Sequence, residues 1–335
     1  VLDAVVDRQD LTEDEAYATM QRILDGEVDP AWTAGFLVAL RMKGEAPGEI
    51  AGFARAMRRH ATLVPCESAV VDTCGTGGDA SGTFNISTAA AFVVAGAGGH
   101  VAKHGNRSVS SQCGSADVLE ALGVQLDLAP ERVGQAVDEI GFGFLFAPAL
   151  HQAMKHAMGP RRALAMRTVF NVLGPLTNPA RAAHQVMGVF SPDLLRPLAT
   201  VMLRLGNGRS LLVHGNDGLD EITVTTSTKV MVVDTDVVEQ EIAPEDVGLR
   251  RHETSALRGG DASTNAAILR GILAGEPGAP RDVVVFNAGA ALWACKRAES
   301  VFEGCQRATT AIDEGRALER LEAYVAFSAQ HADRS

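Results

Sequence analysis

The chain has 335 residues, of which 46% are hydrophobic and 21% charged, and its formal net charge is -11. This length allows two domains with a large core, and the composition is that of an ordinary globular protein. The acidic balance argues against a nucleic-acid partner or an anionic membrane surface, and no run of about 18 apolar residues indicates a membrane span.

The cysteines indicate a reducing environment. They are odd in number and form no C-x-x-C pair, which disfavours both a disulfide framework and a zinc site. No leader segment is visible, so we expect a cytoplasmic protein. The five are Cys66, Cys74, Cys113, Cys295 and Cys305.

Residues 1–66 predict a small helical domain. Thr12 and Glu15 have the spacing of a capping box at a helix start. Asp29 followed by Pro30 indicates a second helix start, and Pro47 opens a third helix.

Residues 67–335 alternate strand-like runs with helical patterns, which predicts an α/β domain with a mostly parallel central sheet. A break at Gly159-Pro160 predicts a new element beginning at Arg161, and residues near 160–178 are expected to return as a helical segment to the first domain. Strands are predicted at 69–71, 100–102, 123–126, 142–146, 186–190, 210–213, 222–225 and 230–233. Helices are predicted at 88–97, 116–122, 130–140, 193–205, 261–274 and over much of 289–329.

A glycine-rich loop, GTGGD at 75–79, follows the first of these strands. Asn85 stands where the next helix is predicted to begin and is a candidate N-cap. Glycine lets a ligand approach bare N–H groups, and a helix start favours negative charge. The spacing matches neither a P-loop nor the G-x-G-x-x-G fingerprint. A tight turn is the alternative, and an anion site is the preferred interpretation.

A second polar loop, KHGNRSVSS at 103–111, follows the next strand, and Ser115 is predicted to cap the helix after it. Either loop alone is compatible with a solvated turn. Two such loops in tandem, each followed by a helix, predict a substrate with more than one phosphate group.

Asp220 and Glu221 form an acidic pair in a polar loop between two predicted strands. Adjacent carboxylates repel each other and favour a site where a cation compensates their charge. Magnesium takes one or two protein carboxylates and otherwise binds water and substrate phosphates. An exposed acidic turn is the alternative, but two neighbouring phosphate loops favour a magnesium site.

Several motifs carry a family resemblance: GTGGD at 75–79, NIST at 85–88, KHGNRSVSS at 103–111, GSADVLEALG at 114–123, RTVFNVLGPLTNPA at 167–180 and the acidic pair at 220–221. In this order, from LTEDEA at 11–16 to NAGAALW at 287–293, the chain resembles the anthranilate phosphoribosyltransferase family. The resemblance implies a nucleoside phosphorylase and phosphoribosyltransferase type of fold. In that fold a small helical domain is hinged to a larger α/β domain, usually in a homodimer.

The implied reaction transfers the phosphoribosyl group of phosphoribosyl pyrophosphate to the amine of anthranilate, releasing pyrophosphate, in tryptophan biosynthesis. Two other classes stay open. KHG with downstream serines also suits pyrimidine nucleoside phosphorylases, which need inorganic phosphate and no acidic metal pair. A nucleic-acid-binding homologue of the same fold is the other class, and the acidic balance opposes it.

The resemblance also implies site residues. Ser87, Asp220 and Glu221 would hold magnesium, with two ions expected, and Gly75, Asn106 and Arg161 would contact anthranilate. Gln152 and Ala165-Met166 depart from the family pattern near the aromatic substrate. The phosphoribosyl pyrophosphate site would be lined by Gly75, Gly78, Asp79, Thr83, Asn85, Ile86, Ser87, Thr88, Lys103, Asn106, Arg107, Ser108, Ser111 and Ser115.

Lys103 and His104 are the residues that the resemblance assigns to the chemistry. Lys103 would stabilise the departing pyrophosphate together with magnesium. The nucleophile is a neutral arylamine, so positioning and electrostatics would carry the reaction without a strong base. His104 would either accept the amine proton or orient its loop, and Asp79 would contact a ribose hydroxyl or a metal-bound water.

Overall fold

The helical domain consists of four helices that share an apolar core. A computed structural model describes residues 1–79, 81–108 and 112–332 of the chain. The four helices are α1 (Leu2–Val6), α2 (Glu13–Leu24), α3 (Pro30–Lys43) and α4 (Pro47–His60).

The helix starts predicted for this domain are confirmed. The Glu15 N–H donates to Thr12 Oγ1 at 3.3 Å, and the Thr12 N–H donates to Glu15 Oε2 at 2.9 Å, which completes the capping box. Asp29 Oδ1 accepts the Ala31 N–H at 2.7 Å at the start of α3. Short-range polar contacts therefore set where these helices begin.

Seven strands in the described part of the chain form one sheet. They are β1 (Val71–Asp72), β2 (Val101–Gly105), β3 (Phe142–Phe146), β4 (His184–Gly188), β5 (Ser210–Gly215), β6 (Thr228–Val233) and β7 (Val237–Ile242). Their order is β3-β2-β1-β4-β5-β6-β7, with β1 to β5 parallel and β6 and β7 antiparallel. The predicted mostly parallel sheet is confirmed.

The two faces of the sheet pack against different helices. Successive side chains of a strand point to opposite faces, so Leu211 and Val213 of β5 join one apolar core and Leu212 joins the other. The first core includes α5 (Ile86–Gly96) and α13 (Ala279–Ala294). The second includes α11 (Leu195–Leu205) and the helical domain, which is thus packed onto the sheet.

The other helices of the α/β domain bury residues in these two cores or in a third, smaller one. None of the helices in the described ranges combines the length and the apolar character that a membrane span needs. Asp261 caps α12 (Ala262–Leu273) as predicted, because its Oδ1 accepts the Thr264 N–H at 2.8 Å. These helices are α6 (Ser115–Ala121), α7 (Pro130–Ile140), α8 (Ala147–Leu150), α9 (Lys155–Leu164), α10 (Phe170–Leu173), α12 (Ala262–Leu273), α14 (Val301–Asp313) and α15 (Arg316–His331).

Two of the predicted strands are wrong, and β7 was not predicted. At 123–126 the Val124 N–H donates to the Leu119 carbonyl at 3.0 Å, so it closes the end of α6 instead of joining the sheet. At 222–225 the Ile222 N–H donates to the Asn287 side chain of α13 instead of to a neighbouring strand. β7 is an edge strand without a buried residue, so its polar sequence gave no strand signal.

The predicted break at Gly159-Pro160 is also wrong, because α9 runs through both residues. A proline inside a helix removes one N–H donor, here toward the His156 carbonyl. Packing of α9 against α2 and α3 offsets that loss. Arg161 therefore lies in the last turn of α9, and α9 is the segment that returns the chain to the helical domain.

Candidate active site

The glycine-rich loop, the second polar loop and the acidic loop meet at one edge of the sheet. They follow β1, β2 and β5, and the carboxyl ends of these strands point the same way because β1 to β5 are parallel. β1 lies between β2 and β4, where the strand order reverses. A crevice at such a point is the usual ligand position in open α/β sheets. This edge is therefore the candidate active site.

Lys103 is a buried cation at the centre of this edge. Lys103 is 2% exposed. Its Nζ donates to the Thr73 carbonyl at 3.1 Å, to Thr73 Oγ1 at 3.3 Å and to Ser87 Oγ at 3.2 Å. Ser87 lies in the first turn of α5, and its side chain is close enough to Glu221 to lower the pKa of that carboxyl group. The fold thus brings Lys103, Ser87 and Glu221 into one cluster.

The acidic pair carries more negative charge than its surroundings compensate. Burial and then the Asp79 carboxylate raise the pKa of Asp220, while burial and then Asp220 raise the pKa of Glu221. The backbone of Gly77 lowers the pKa of Asp220 and the Lys103 charge lowers that of Glu221, but both effects are outweighed. The three carboxyl groups therefore favour a bound cation.

The donors of this acidic cluster fit magnesium. Asp220 and Glu221 offer carboxylate oxygens and Ser87 offers a hydroxyl, and magnesium prefers such hard oxygen ligands. Both acidic residues are half-buried and keep partial solvent access. A hydrated ion can therefore reach them.

A second group of possible metal ligands, formed by Asp72, Cys74 and His104, does not fit magnesium. One ligand atom from each lies within 4.8 Å of the other two. Asp72 already accepts the His104 N–H at 3.2 Å and Asn178 Nδ2 at 2.7 Å. Burial raises the pKa of the Cys74 thiol, which keeps its proton at neutral pH. The hydrogen bonds of this group connect β1 and β2 with the segment after α10.

Two glycines of the first loop adopt left-handed backbone conformations, with φ of 64° at Gly77 and 84° at Gly78. The Gly78 carbonyl accepts a hydrogen bond from Arg167 Nη2. The Arg167 guanidinium carbon lies 4.1 Å from the centre of the Phe190 ring. Arg167, which was not predicted as a site residue, thus holds the centre of the glycine loop.

The ends of the same loop are held by the α/β domain. A Cβ at Gly75 would lie 3.0 Å from the Gly188 carbonyl oxygen, so the loop passes close to the end of β4. Thr83 forms an isolated antiparallel bridge with Arg258. The loop is therefore fixed at both ends.

Asn85 occupies the N-cap position of α5, as predicted, but its side chain does not cap the helix. Its Nδ2 donates to the Cys113 carbonyl at 3.2 Å, and its Oδ1 accepts from Asn265 Nδ2 at 3.0 Å. The first turn of α5 therefore has no side-chain cap, and its Ile86 and Thr88 N–H groups donate to the backbone carbonyls of Phe84 and Asn85. Ile86 and Thr88 are each 1% exposed, so their side chains lie beneath the loop.

The prediction that Ser115 caps α6 is wrong, because Gly114 occupies that position. The Asp117 carboxylate accepts the N–H groups of Ser108 at 3.0 Å and Gly114 at 2.9 Å. A carboxylate is a stronger acceptor than a hydroxyl and can serve both donors. Ser115 Oγ instead donates to the Asn106 carbonyl at 3.3 Å, which shapes the second loop from within.

Arg107 is held by acidic side chains of α6. Its Nη1 lies 3.2 Å from Asp117 Oδ1, and its Nη2 donates to Glu120 Oε1 at 2.7 Å. A phosphate contact by Arg107 would therefore replace an exposed ion pair, which costs little. Ser111, predicted for the same wall, lies outside the described residues.

His104 is buried, and both of its ring nitrogens are hydrogen-bonded. Nδ1 lies 3.2 Å from the Gly174 carbonyl, and Nε2 lies 3.2 Å from His151 Nε2. The carbonyl can only accept, so Nδ1 carries the proton and His151 donates to Nε2. Burial, with a smaller effect of His151, lowers the pKa of His104 to about 3. Of its two predicted roles, this geometry favours orientation of the loop.

Arg161 has its guanidinium next to an aromatic ring. Its guanidinium carbon lies 5.1 Å from the Phe170 ring, and burial lowers its pKa. In residues 1–79, 81–108 and 112–332, no carboxylate lies within ion-pair distance of it. The neighbouring Arg162 is exposed. A guanidinium beside an aromatic ring is well suited to an aromatic carboxylate.

Comparison with known proteins identifies the family. The a/b-domain model of the glycosyl transferase family matches residues 67–318, and the helical bundle domain model of that family matches residues 1–61. An anthranilate phosphoribosyltransferase of Thioalkalivibrio sulfidiphilus is 55% identical to this chain, and the match covers 97% of each sequence. The chain belongs to the anthranilate phosphoribosyltransferase family.

Solved structures of anthranilate phosphoribosyltransferases have the same fold. The enzyme from Thermus thermophilus matches with a TM-score of 0.93 and 47% identity, over 98% of this chain and 99% of that chain. The enzyme from Saccharomyces cerevisiae in complex with PRPP and Mg matches with a TM-score of 0.88 and 28% identity. This match covers 96% of this chain and 94% of the yeast chain. The family and the fold class predicted from the sequence are confirmed.

Sequence motifs missed residues that support the phosphoribosyltransferase site without facing the cleft. Gln185 of β4 donates to the Pro175 carbonyl at 2.8 Å, and Asn178 donates to the Ala102 carbonyl at 2.8 Å. Both amides are buried polar groups that need partners. Gln185 directly precedes the apolar run predicted as a strand at 186–190, and this position was the signal that could have found it.

We predict that the double substitution Asp220→Asn, Glu221→Gln raises the free energy of unfolding of the ligand-free enzyme by about 1 kcal/mol at pH 8. It removes repulsion between neighbouring buried acids. Because burial raises the pKa of both carboxyl groups in the folded state, their cost is absent below about pH 4 and grows as the pH rises. Urea unfolding at both pH values measures the effect.

The exposed pair Asp313 and Glu314 provides the matched control for this prediction. Asp313→Asn, Glu314→Gln changes the same dipeptide on the surface, where we expect no gain in stability. If Asp220→Asn, Glu221→Gln is no more stable than the wild type at pH 8, the inferred excess of negative charge at this pair is contradicted.

Proposed function

We propose that this chain transfers the phosphoribosyl group of phosphoribosyl pyrophosphate to the amine of anthranilate, giving N-(5-phosphoribosyl)anthranilate and pyrophosphate in tryptophan biosynthesis. The observation that carries the proposal is the cluster of Lys103, Ser87 and Glu221 at the start of α5. A diphosphate needs a cation and N–H donors together, and this edge of the sheet offers both.

Phosphoribosyl pyrophosphate lies across the carboxyl edge of the sheet in this proposal. N–H groups of the glycine loop bind phosphate oxygens. Lys103 neutralises the pyrophosphate, and Asp79 is available to a ribose hydroxyl or a metal-bound water. The second loop, with Asn106, Arg107 and Ser108, completes the wall.

Ser87, Asp220 and Glu221 hold magnesium, and two ions are proposed, as the resemblance implies. The yeast relative in complex with PRPP and Mg supports this ion, and so do the oxygen donors of the cluster. When bound, magnesium stabilises the charge of the departing pyrophosphate as a Lewis acid.

The residues of the chain act mainly by position and charge. The neutral amine of anthranilate attacks the anomeric carbon while the bond from that carbon to the pyrophosphate oxygen breaks, and the amine nitrogen then loses one proton to water. Lys103 stabilises the negative charge that develops on the leaving group. His104 keeps the second loop in place through its bonds to Gly174 and His151.

The reaction is tested by mixing the protein with magnesium, phosphoribosyl pyrophosphate and anthranilate. We expect the fluorescence of anthranilate to fall and one pyrophosphate to appear for each anthranilate consumed. Phosphorolysis of thymidine or uridine, without loss of anthranilate, would instead assign the chain to the pyrimidine nucleoside phosphorylase activity. Retention on single-stranded DNA that weakens with salt would support the nucleic-acid-binding class.

We predict that Arg161→Ala raises the Michaelis constant for anthranilate at least tenfold, because a charge-assisted hydrogen bond is worth about 1.5–3 kcal/mol. The constant for phosphoribosyl pyrophosphate should change far less, since that substrate binds other loops. Steady-state kinetics with each substrate varied in turn measures both constants.

Arg162→Ala is the control for Arg161→Ala, because the two arginines are adjacent and only Arg161 stacks on Phe170. We expect Arg162→Ala to leave both Michaelis constants near the wild-type values. A selective anthranilate defect in Arg162→Ala alone would move the carboxylate contact to that residue. No defect in either variant would place it elsewhere.

The proposal also includes a cytoplasmic homodimer without a nucleic-acid or membrane partner. All five cysteines are free thiols, as in proteins of a reducing compartment. In α3, Ala31, Gly35 and Met42 lie at helical spacing and are exposed, and a Cβ at Gly35 would meet nothing within 4 Å. This stripe allows close approach of a second copy.

Light scattering tests the dimer, with Met42→Glu as the disrupting variant. Met42 is 70% exposed, and a charge there would be desolvated in the interface. We expect the wild type to have twice the mass of one chain and Met42→Glu to dissociate. Phe302→Glu, at a residue of α14 that is 47% exposed, is the control and should leave the mass unchanged. A dimer unaffected by Met42→Glu would place the interface elsewhere.

A further inference from the structure

The residue after the acidic pair is held by one side chain of α13. The Ile222 N–H donates to Asn287 Oδ1 at 3.0 Å, and Asn287 Nδ2 donates to the Ile222 carbonyl at 2.7 Å. The second Nδ2 hydrogen goes to the Val283 carbonyl, one turn back in α13, at 2.8 Å. Both amide groups of Asn287 are therefore in use, and their orientation follows from the partners.

Asn287 is unusual for its place in the helix. It is 3% exposed, and the buried residues around it in α13 are apolar or glycine. Asparagine is a weak helix former, and a buried amide costs free energy unless its groups are bonded. An apolar residue at this position could not form the two hydrogen bonds to Ile222, and these bonds therefore explain the asparagine.

The Ile222 contact acts directly on Glu221. The N–H of Ile222 belongs to the peptide unit that joins it to Glu221, and a peptide unit is planar. Fixing that N–H on Asn287 therefore fixes the plane next to the Glu221 Cα. On the other side of the Glu221 Cα, a Cβ at Gly188 would lie 1.5 Å from the Asp220 carbonyl oxygen, so β4 is in close contact with the peptide unit that joins the two acids. The peptide units on both sides of Glu221 are thus confined.

We propose that Asn287 is a positioning residue that presets Asp220 and Glu221 as magnesium ligands. This inference rests on the magnesium site of the proposed function. Two like-charged side chains repel each other, and a loop free to move would turn them apart toward solvent. The Asn287 bonds hold their backbone in place before the ion and the substrate arrive. Residues that orient metal ligands typically change metal affinity about 10- to 100-fold when they are substituted.

The test uses Asn287→Ala and Asn287→Ser, with phosphoribosyl pyrophosphate binding followed by calorimetry at a series of magnesium concentrations. We expect both variants to need at least about tenfold more magnesium for half-maximal binding. The Michaelis constant for anthranilate, measured at saturating magnesium, should stay near the wild-type value. A merely structural defect would not separate these two quantities.

Tyr324→Phe is the matched control. The Phe144 N–H donates to Tyr324 Oη at 3.0 Å, in a buried contact far along the chain from the acidic loop. This substitution also removes one buried hydrogen bond, so it should lower the melting temperature without changing the magnesium requirement. An equal rise in the magnesium requirement in Tyr324→Phe would overturn the inference, because loss of stability alone would explain the effect.

Hydrogen exchange in the wild type gives a second test that does not depend on how the variants fold. The Ile222 amide should be protected without ligands, because Asn287 already holds it. Fast exchange that slows only after magnesium and phosphoribosyl pyrophosphate are added would overturn the inference. An unchanged magnesium requirement in both Asn287 variants would overturn the inference as well. The magnesium site itself is tested separately, by the magnesium requirement of the double variant Asp220→Asn, Glu221→Gln. If that double variant also keeps the wild-type requirement, the magnesium site and the inference fail together.

Discussion

An excess of negative charge at the carboxyl edge of the sheet is the constraint on which the rest of the site depends. Asp79, Asp220 and Glu221 share a cleft in which the Lys103 charge only partly compensates them, and the pKa of both members of the acidic pair is raised. This arrangement opposes folding of the free protein and becomes favourable when a cation binds to the folded state. The site is therefore built for a ligand that brings a divalent ion with it.

The fold supports this charge cluster from elements that do not form the cleft. Lys103 extends from β2 and Ser87 from the first turn of α5, and both elements are anchored in the same apolar core. Arg167 holds the glycine loop through the Gly78 carbonyl, and Asn287 holds the acidic loop through Ile222. The backbone of the glycine loop and that of the acidic loop are thus each held by a hydrogen bond from a side chain outside the loop. Such support is what a site needs when catalysis depends on position and electrostatics.

Features that depend on neighbouring residues could be predicted from the sequence, and those that depend on distant residues could not. The capping box at Thr12, the glycine loop and the acidic pair were visible because their residues lie within a few positions of one another. The strand predicted at 222–225 does not form, because the Ile222 N–H donates to Asn287, which is 65 positions away in the sequence. Likewise, Ser115 had the right chemistry for a cap, but Gly114 occupies the N-cap position and its N–H donates to the Asp117 carboxylate.

Calorimetric titration of phosphoribosyl pyrophosphate into the wild-type protein, with and without magnesium, tests the central claim most directly. The substrate is a polyanion, and without a divalent ion it must bind beside the carboxyl groups of Asp220 and Glu221. The account predicts at least tenfold weaker binding without magnesium, which corresponds to about 1.4 kcal/mol. Equal affinity under both conditions would contradict it, because the acidic cluster would then need no cation to accept the substrate.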